Sequence, residues 1–226
     1  MPSINWQEVT RHGSIVRLIR QGDHCIKVKE NDQYRWLEID GIMQSLMKLN
    51  EPANPTLPPH QAISQIFPPA KSAGVALELG LGGGTMQRYF AHHRPNWQLT
   101  SVEIDPLILE LFREHFAPPQ SNNSSILERA ERIITRFDDN SVNGLIIDIC
   151  TDEGLPEFLS DRYFWFEVER VLAHNPTVAV NLIPKDEQEW LRVTDLMRAI
   201  LSVPLGWIQI PNHLNMLVVS EPEAAD

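Results

Sequence analysis

The chain has 226 residues, 42% of them hydrophobic, and a formal net charge of −11, which suits one α/β domain with a solid core plus a small appendage. The acidic balance disfavours nucleic acid, whose phosphates are bound by Lys and Arg, yet it leaves room for a cationic substrate. No apolar run approaches the ~20 residues of a membrane span, and the start of the chain lacks the basic and apolar regions of a signal peptide.

Two cysteines, Cys25 and Cys150, give neither a disulfide framework nor a metal spacing, so a reducing cytoplasm is the expected location. His60, His92, His93, His174 and His213 likewise show no spacing of metal ligands and read as surface or core-edge residues. No metal is expected. Cys150 reads as a small buried residue at a strand end rather than a reactive thiol.

Taken in order, residues 14–19, 25–28 and 34–39 form short apolar-rich runs separated by polar turns, which predicts an antiparallel meander. Too small to be stable alone, it is expected to pack on the main domain or on a second subunit. Residues 51–59 hold four prolines and read as a connector without regular structure. The expected division is therefore 1–55 as an N-terminal β region with its linker and 56–226 as a Rossmann-like domain.

The second part alternates strand and helix. Helices are predicted at 61–66, 85–92, 107–116, 157–172 and 186–201, with strands at 75–79, 98–104, 144–149 and 177–183. Residues 120–125 read as a polar loop and 126–137 as a very short strand followed by a helix. Two strands, 206–211 and 214–220, close the chain as a hairpin.

The centre of this pattern is residues 76–106. An apolar strand runs into Gly80-Leu81-Gly82-Gly83-Gly84, and a helix follows at once. Glycines there let backbone approach a ligand closely, and the helix start offers unpaired N–H groups. A second strand then ends in Glu103, about 20 residues on. At the carboxyl edge of a parallel sheet such an acid can accept both hydroxyls of a ribose. A dinucleotide fingerprint would place its third glycine at Thr85, so the spacing suits an S-adenosyl cofactor, which has no pyrophosphate. Asp148 ends the 144–149 strand on the same edge. Between Phe137 and Asp161 there are seven acids and no Lys or Arg, a stretch that reads either as solvated surface or as a gate that concentrates a polyamine.

Three motifs together, Glu78-Leu-Gly-Leu-Gly-Gly-Gly-Thr85, Val102-Glu-Ile-Asp-Pro106 and Leu145-Ile-Ile-Asp148-Ile-Cys-Thr-Asp152, resemble those of the spermidine synthase-like proteins, a branch of the class I methyltransferase fold. Upstream, Leu37-Glu-Ile-Asp-Gly-Ile-Met-Gln44 is similar to the segment that ends that family's N-terminal β region. The resemblance covers about residues 33–182. It implies a Rossmann-like α/β fold with a small N-terminal antiparallel β appendage. It also implies a homodimer, and a transferase that moves an aminopropyl or methyl group from decarboxylated or intact S-adenosylmethionine to a small, cationic acceptor such as a polyamine. By the same resemblance Gly80, Leu81, Gly82, Gly83, Gly84, Glu103, Ile104 and Gln44 are the cofactor-binding candidates. Asp148 and Asp152 are the candidates for taking the proton of the attacking amine.

The chain departs from that pattern in four places. Gly83 stands where the family's turn carries an aspartate for the aminopropyl amine, and Glu128-Arg129-Ala130 stands where an acid meets the adenine amino group. Pro59-His60 replaces a tyrosine-histidine pair, and the loop from Asp148 to Asp152 is one residue longer. These losses support a rival expectation, a non-catalytic nucleoside-binding or scaffold protein that keeps the fold. A nicotinamide dehydrogenase is the weaker third reading.

Overall fold

The computed structural model describes residues 9–10, 12–67, 72–151 and 154–221. Its N-terminal part is a four-stranded antiparallel meander of β1 (Ser14–Gln21), β2 (His24–Glu30), β3 (Tyr34–Ile39) and β4 (Ile42–Lys48), paired in that order. The sequence shows three of these strands. It hides β4, because Gln44 and Ser45 interrupt its apolar run. The β3–β4 turn is Asp40-Gly41, both at positive φ, the two-residue turn whose twist matches that of the flanking strands. One face of the sheet, Ile26, Val28, Leu37 and Met47, packs on the Pro106–His115 helix through Leu111 and Phe112. This supplies the apolar partner that an isolated meander lacks.

The 51–59 stretch is not wholly irregular. Helix α1 (Pro58–Ile66) starts at the prolines themselves, which occupy its first two positions. Proline has no N–H to lose there and its ring presets a helical φ. Gln61 donates back to the carbonyls of Pro55 (3.2 Å) and Thr56 (3.1 Å), tying the connector to the helix.

Beyond α1 come β5 (Gly74–Leu79), α2 (Thr85–His93), β6 (Trp97–Glu103), α3 (Pro106–His115), β7 (Ser124–Leu127) and the short α4 (Ala130–Ile133). The chain continues through β8 (Val142–Asp148), α5 (Arg162–Val171), β9 (Leu172–Leu182), α6 (Glu187–Ile200), β10 (Leu205–Gln209) and β11 (Met216–Ser220). The predicted long helix at 157–172 is broken. A 3-10 turn at Glu157–Ser160 stops at Asp161, whose side chain accepts from the Tyr163 N–H and caps α5. An Asp at an N-cap competes with helix continuation for that N–H.

The seven strands lie in the order β10-β11-β9-β8-β5-β6-β7; β5 to β9 are parallel and β11 runs against β9. This is the mixed α/β sheet of a class I methyltransferase fold, with the terminal hairpin at one edge. Central strands are apolar on both faces. Leu77, Leu145, Ile147, Val178 and Val180 face Trp165 of α5 and Met197 of α6. Ala76, Ile146 and Ala179 face Ile63 of α1 and Phe90 of α2.

The strand order reverses between β5 and β8. After β5 the chain moves outward to β6 and β7, then returns to the other side of β5 as β8. Helices leaving in opposite directions there open a crevice at the carboxyl ends of the strands, where open α/β sheets take their ligands.

Candidate functional site

Register places the predicted site at that crevice. Leu79 of β5 pairs with Val102 of β6 and with Ile147 of β8, so the next residues, Gly80, Glu103 and Asp148, end their strands at one level. A cleft of about 1210 Å3 opens there, with Gly80, Gly82, Glu103, Ile104, Asp148 and Gln44 among its lining residues. Gly80 sits at φ 96°, and a Cβ on it would lie 2.1 Å from the Asp148 carbonyl oxygen. Only glycine allows the two strand ends to approach so closely.

Glu103 is fixed by backbone. Its Oε2 accepts from Gly82 N–H at 3.2 Å, and its Oε1 accepts from Ile104 and Asp105 N–H at 2.9 and 3.0 Å. A carboxylate offers about four lone-pair sites; with three taken by backbone N–H groups, one on Oε2 stays open to a ligand hydroxyl, rather than the two expected from sequence. Ile104 beside it is exposed and gives an apolar face of the kind a purine ring covers. Gln44 enters from β4, its amide donating weakly to Ile42 (3.4 Å). The glycine turn, the fixed acid and the apolar face fit an S-adenosyl group.

The other glycine-turn candidates turn away from the cleft. Leu81 is 4% exposed and packs against the α3 residues Ile108 and Phe112. Gly84 caps α2 at φ 65°, with the Phe112 ring where a side chain would be. Gly83 faces Ser45 of β4, and a Cβ on it would lie 1.8 Å from the serine hydroxyl oxygen. Beneath the turn, buried Arg88 donates to the carbonyls of Gly83, Phe116 (3.0 Å) and Pro52 (2.9 Å). It thus joins the turn, α3 and the connector. Burial lowers its guanidinium to about 9, so it remains a cation at neutral pH.

Across the cleft, Asp148 is held from two sides. His60 of α1 places Nε2 2.9 Å from Oδ2, and the Asn181 amide on β9 donates to Oδ1 at 2.7 Å. Asn181 in turn accepts from Asn215, just before β11, at 3.0 Å. Burial pushes the Asp148 carboxyl up, but the His60 and Asn181 contacts outweigh it and hold the group below its ordinary value. Asp148 is therefore ionised at neutral pH. Asp152 lies outside the described residues.

Cys150 is exposed on the cleft wall, which corrects the expectation of a buried residue. Partial desolvation and the nearby Asp148 charge push its thiol up to about 12, so it stays neutral and unreactive. Arg129, at the start of α4, pairs with Glu131, while Glu128 accepts from Arg129 N–H (2.9 Å) and pairs with Arg136 (2.6 Å). Eight acidic and three basic residues line the cleft among those described. No group of three or more potential metal ligands occurs among the described residues, and none of their helices is long and apolar enough to cross a membrane.

No protein-family model matches the chain. It is 25% identical over 108 residues to the polyamine aminopropyltransferase of Vibrio vulnificus, a match covering 46% of this chain and 36% of that protein. The chain thus spans only about a third of that curated relative's length. Among solved structures, it is similar to a probable spermidine synthase from Corynebacterium glutamicum, with a TM-score of 0.77 at 19% identity, covering 92% of this chain and 80% of the other. The chain is thus similar in sequence to polyamine aminopropyltransferases and has a class I methyltransferase fold like that of solved spermidine synthases. A spermidine synthase in complex with the transition state analogue AdoDATO is also similar, with a TM-score of 0.63 at 16% identity over 91% of this chain and 71% of that one.

Of the residues that the spermidine synthase-like reading named from sequence, the fold gathers Gly80, Gly82, Glu103, Ile104, Gln44 and Asp148 around one cleft. Sequence reasoning missed the anchoring roles of His60 and Asn181. A signal existed for Asn181, since it sits at the carboxyl end of a predicted central strand. For His60 the signal was the Pro-Pro pair before it, a helix start that was read as a connector.

Proposed function

We propose that the chain transfers an aminopropyl group from decarboxylated S-adenosylmethionine to a small cationic amine. The observation that carries this reading is the juxtaposition of a backbone-fixed Glu103 and an ionised Asp148 at opposite ends of one acidic cleft. Glu103 accepts from a ribose hydroxyl, and Gly80 and Gly82 let the nucleoside approach the backbone. The cofactor supplies a sulfonium leaving group, so the protein's task is alignment and proton removal rather than strong activation. As the acceptor nitrogen bonds to the carbon beside sulfur, the C–S bond breaks with its electron pair going to sulfur, and an Asp148 oxygen takes the amine proton. By the family resemblance, Asp152 is a second candidate for taking that proton. The excess of carboxylates along the cleft favours a cation there.

A second reading, methyl transfer from intact S-adenosylmethionine, has one observation in its favour. Gly83 is pressed against Ser45, so the turn has no room for a carboxylate that would hold an aminopropyl amine. Incubating the protein with each cofactor and an aliphatic diamine, and identifying the products by mass, separates the two. Methylthioadenosine with an aminopropylated diamine is the expected outcome; S-adenosylhomocysteine with a methylated amine would establish the second reading instead.

A further inference from the structure

Among the described residues, Asp148 is the one acid whose two carboxylate oxygens are each held by a side chain from a different element, His60 of α1 and Asn181 of β9. The Nε2 of His60 lies 2.9 Å from Oδ2. An ionised carboxylate only accepts, so Nε2 carries the hydrogen and Nδ1 is bare in the neutral ring. Nδ1 is buried and has no hydrogen-bond partner among the described residues, so the ring's hydrogen bonding is directed at Asp148. Its mounting is stiff. Pro58 and Pro59 fix the backbone immediately before it, and the Tyr89 hydroxyl donates to the Ser64 carbonyl at 2.8 Å, pinning α1 onto α2.

We propose that His60 is a positioning residue: with Asn181 it locks the Asp148 carboxylate in one orientation on the cleft wall, so that its remaining lone pairs face the acceptor amine. This rests on the transferase reading above. A carboxylate free to rotate at the end of β8 would meet the amine in many geometries, whereas one held by two donors from α1 and β9 meets it in one. The other titratable groups near Asp148 are Glu78 of β5 and Cys150 of its own loop, both of which feel its charge. Neither donates a hydrogen bond to it.

The test compares His60→Gln with His60→Asn. A glutamine amide nitrogen reaches about as far as imidazole Nε2, whereas an asparagine amide matches the position of Nδ1. The Asp148 carboxyl, followed by carbon NMR in the full chain, should titrate higher in H60N than in H60Q, because only the glutamine keeps a second donor opposing burial. With decarboxylated S-adenosylmethionine and a diamine, kcat should be rescued in H60Q and fall in H60N by on the order of tenfold or more, a part of what a positioned base contributes, at little change in cofactor affinity. Equal titration in both variants, or equal loss of kcat in both, overturns the assignment. If no variant nor the wild type turns over, the transferase reading fails while the NMR comparison still decides the role of His60.

Discussion

Ser45 on β4 stands directly over Gly83 of the glycine turn, so closely that a Cβ on the glycine would lie 1.8 Å from the serine oxygen and 2.6 Å from its Cβ. Ser45 is 3% exposed and its hydroxyl has no partner among the described residues, so neither residue has space to yield. The N-terminal sheet therefore shapes the glycine turn.

Gly83→Ala should destabilise the fold by about 1–3 kcal/mol, the usual cost of overpacking a close contact. Ser45→Gly removes the obstructing atoms, and in its background the same alanine should cost less. A double-mutant cycle by denaturant unfolding reads the coupling. Additive effects would contradict the contact.

Glu103→Ala removes a charged acceptor for a ribose hydroxyl, a bond worth about 1.5–3 kcal/mol. Affinity for methylthioadenosine should fall by roughly tenfold to a hundredfold on that basis. The three backbone N–H groups it releases lie at the cleft, where water can take them, so far-ultraviolet circular dichroism should be unchanged. Calorimetry showing wild-type affinity would remove Glu103 from the site.

Asp148→Asn keeps the shape of the side chain and an acceptor for His60 but loses the proton-accepting charge. Its kcat should fall by about two to four orders of magnitude, as expected for a positioned base, while cofactor affinity changes little. Equal losses in turnover and binding would argue that Asp148 serves binding alone.

The strand-turn-helix units, the class of fold and most of the cleft were legible because period, glycine turns and strand-end acids are local signals. What was not legible depends on long-range contact. Strand β4 carries Gln44 and Ser45 within its apolar run, since one reaches the cleft and the other meets Gly83. The turn glycines read as equivalent in sequence, yet Gly80 and Gly82 line the cleft while Gly83 and Gly84 are set by Ser45 and Phe112. His60 becomes an anchor of Asp148 only when a helix start packs against the end of a strand 88 positions later.

Glu78 gives the chain a pH dependence of its own. The residue is buried on β5, where desolvation, offset in part by a hydrogen bond from Ser101, pushes its carboxyl from 4.5 to about 8. Between those values the folded chain holds a proton that the unfolded chain has released. The contribution is full below about pH 4.5 and is lost as pH rises towards 8, by up to about 1.4 kcal/mol per unit. Asp148 acts oppositely and only in acid: its folded value lies below 3.8, so its stabilisation is lost as pH falls through that lower value. Chemical denaturation from pH 5 to 8 should show stability declining in the wild type and a flatter profile in Glu78→Gln. Identical slopes would mean that Glu78 is ionised throughout.

The most direct measurement is a side-by-side calorimetric titration of the wild type and Glu103→Ala with decarboxylated S-adenosylmethionine, intact S-adenosylmethionine and methylthioadenosine. The account predicts that the wild type binds methylthioadenosine and the decarboxylated cofactor, with the decarboxylated form preferred over the intact one, and that Glu103→Ala binds both more weakly. No binding of any of the three by the wild type would contradict it.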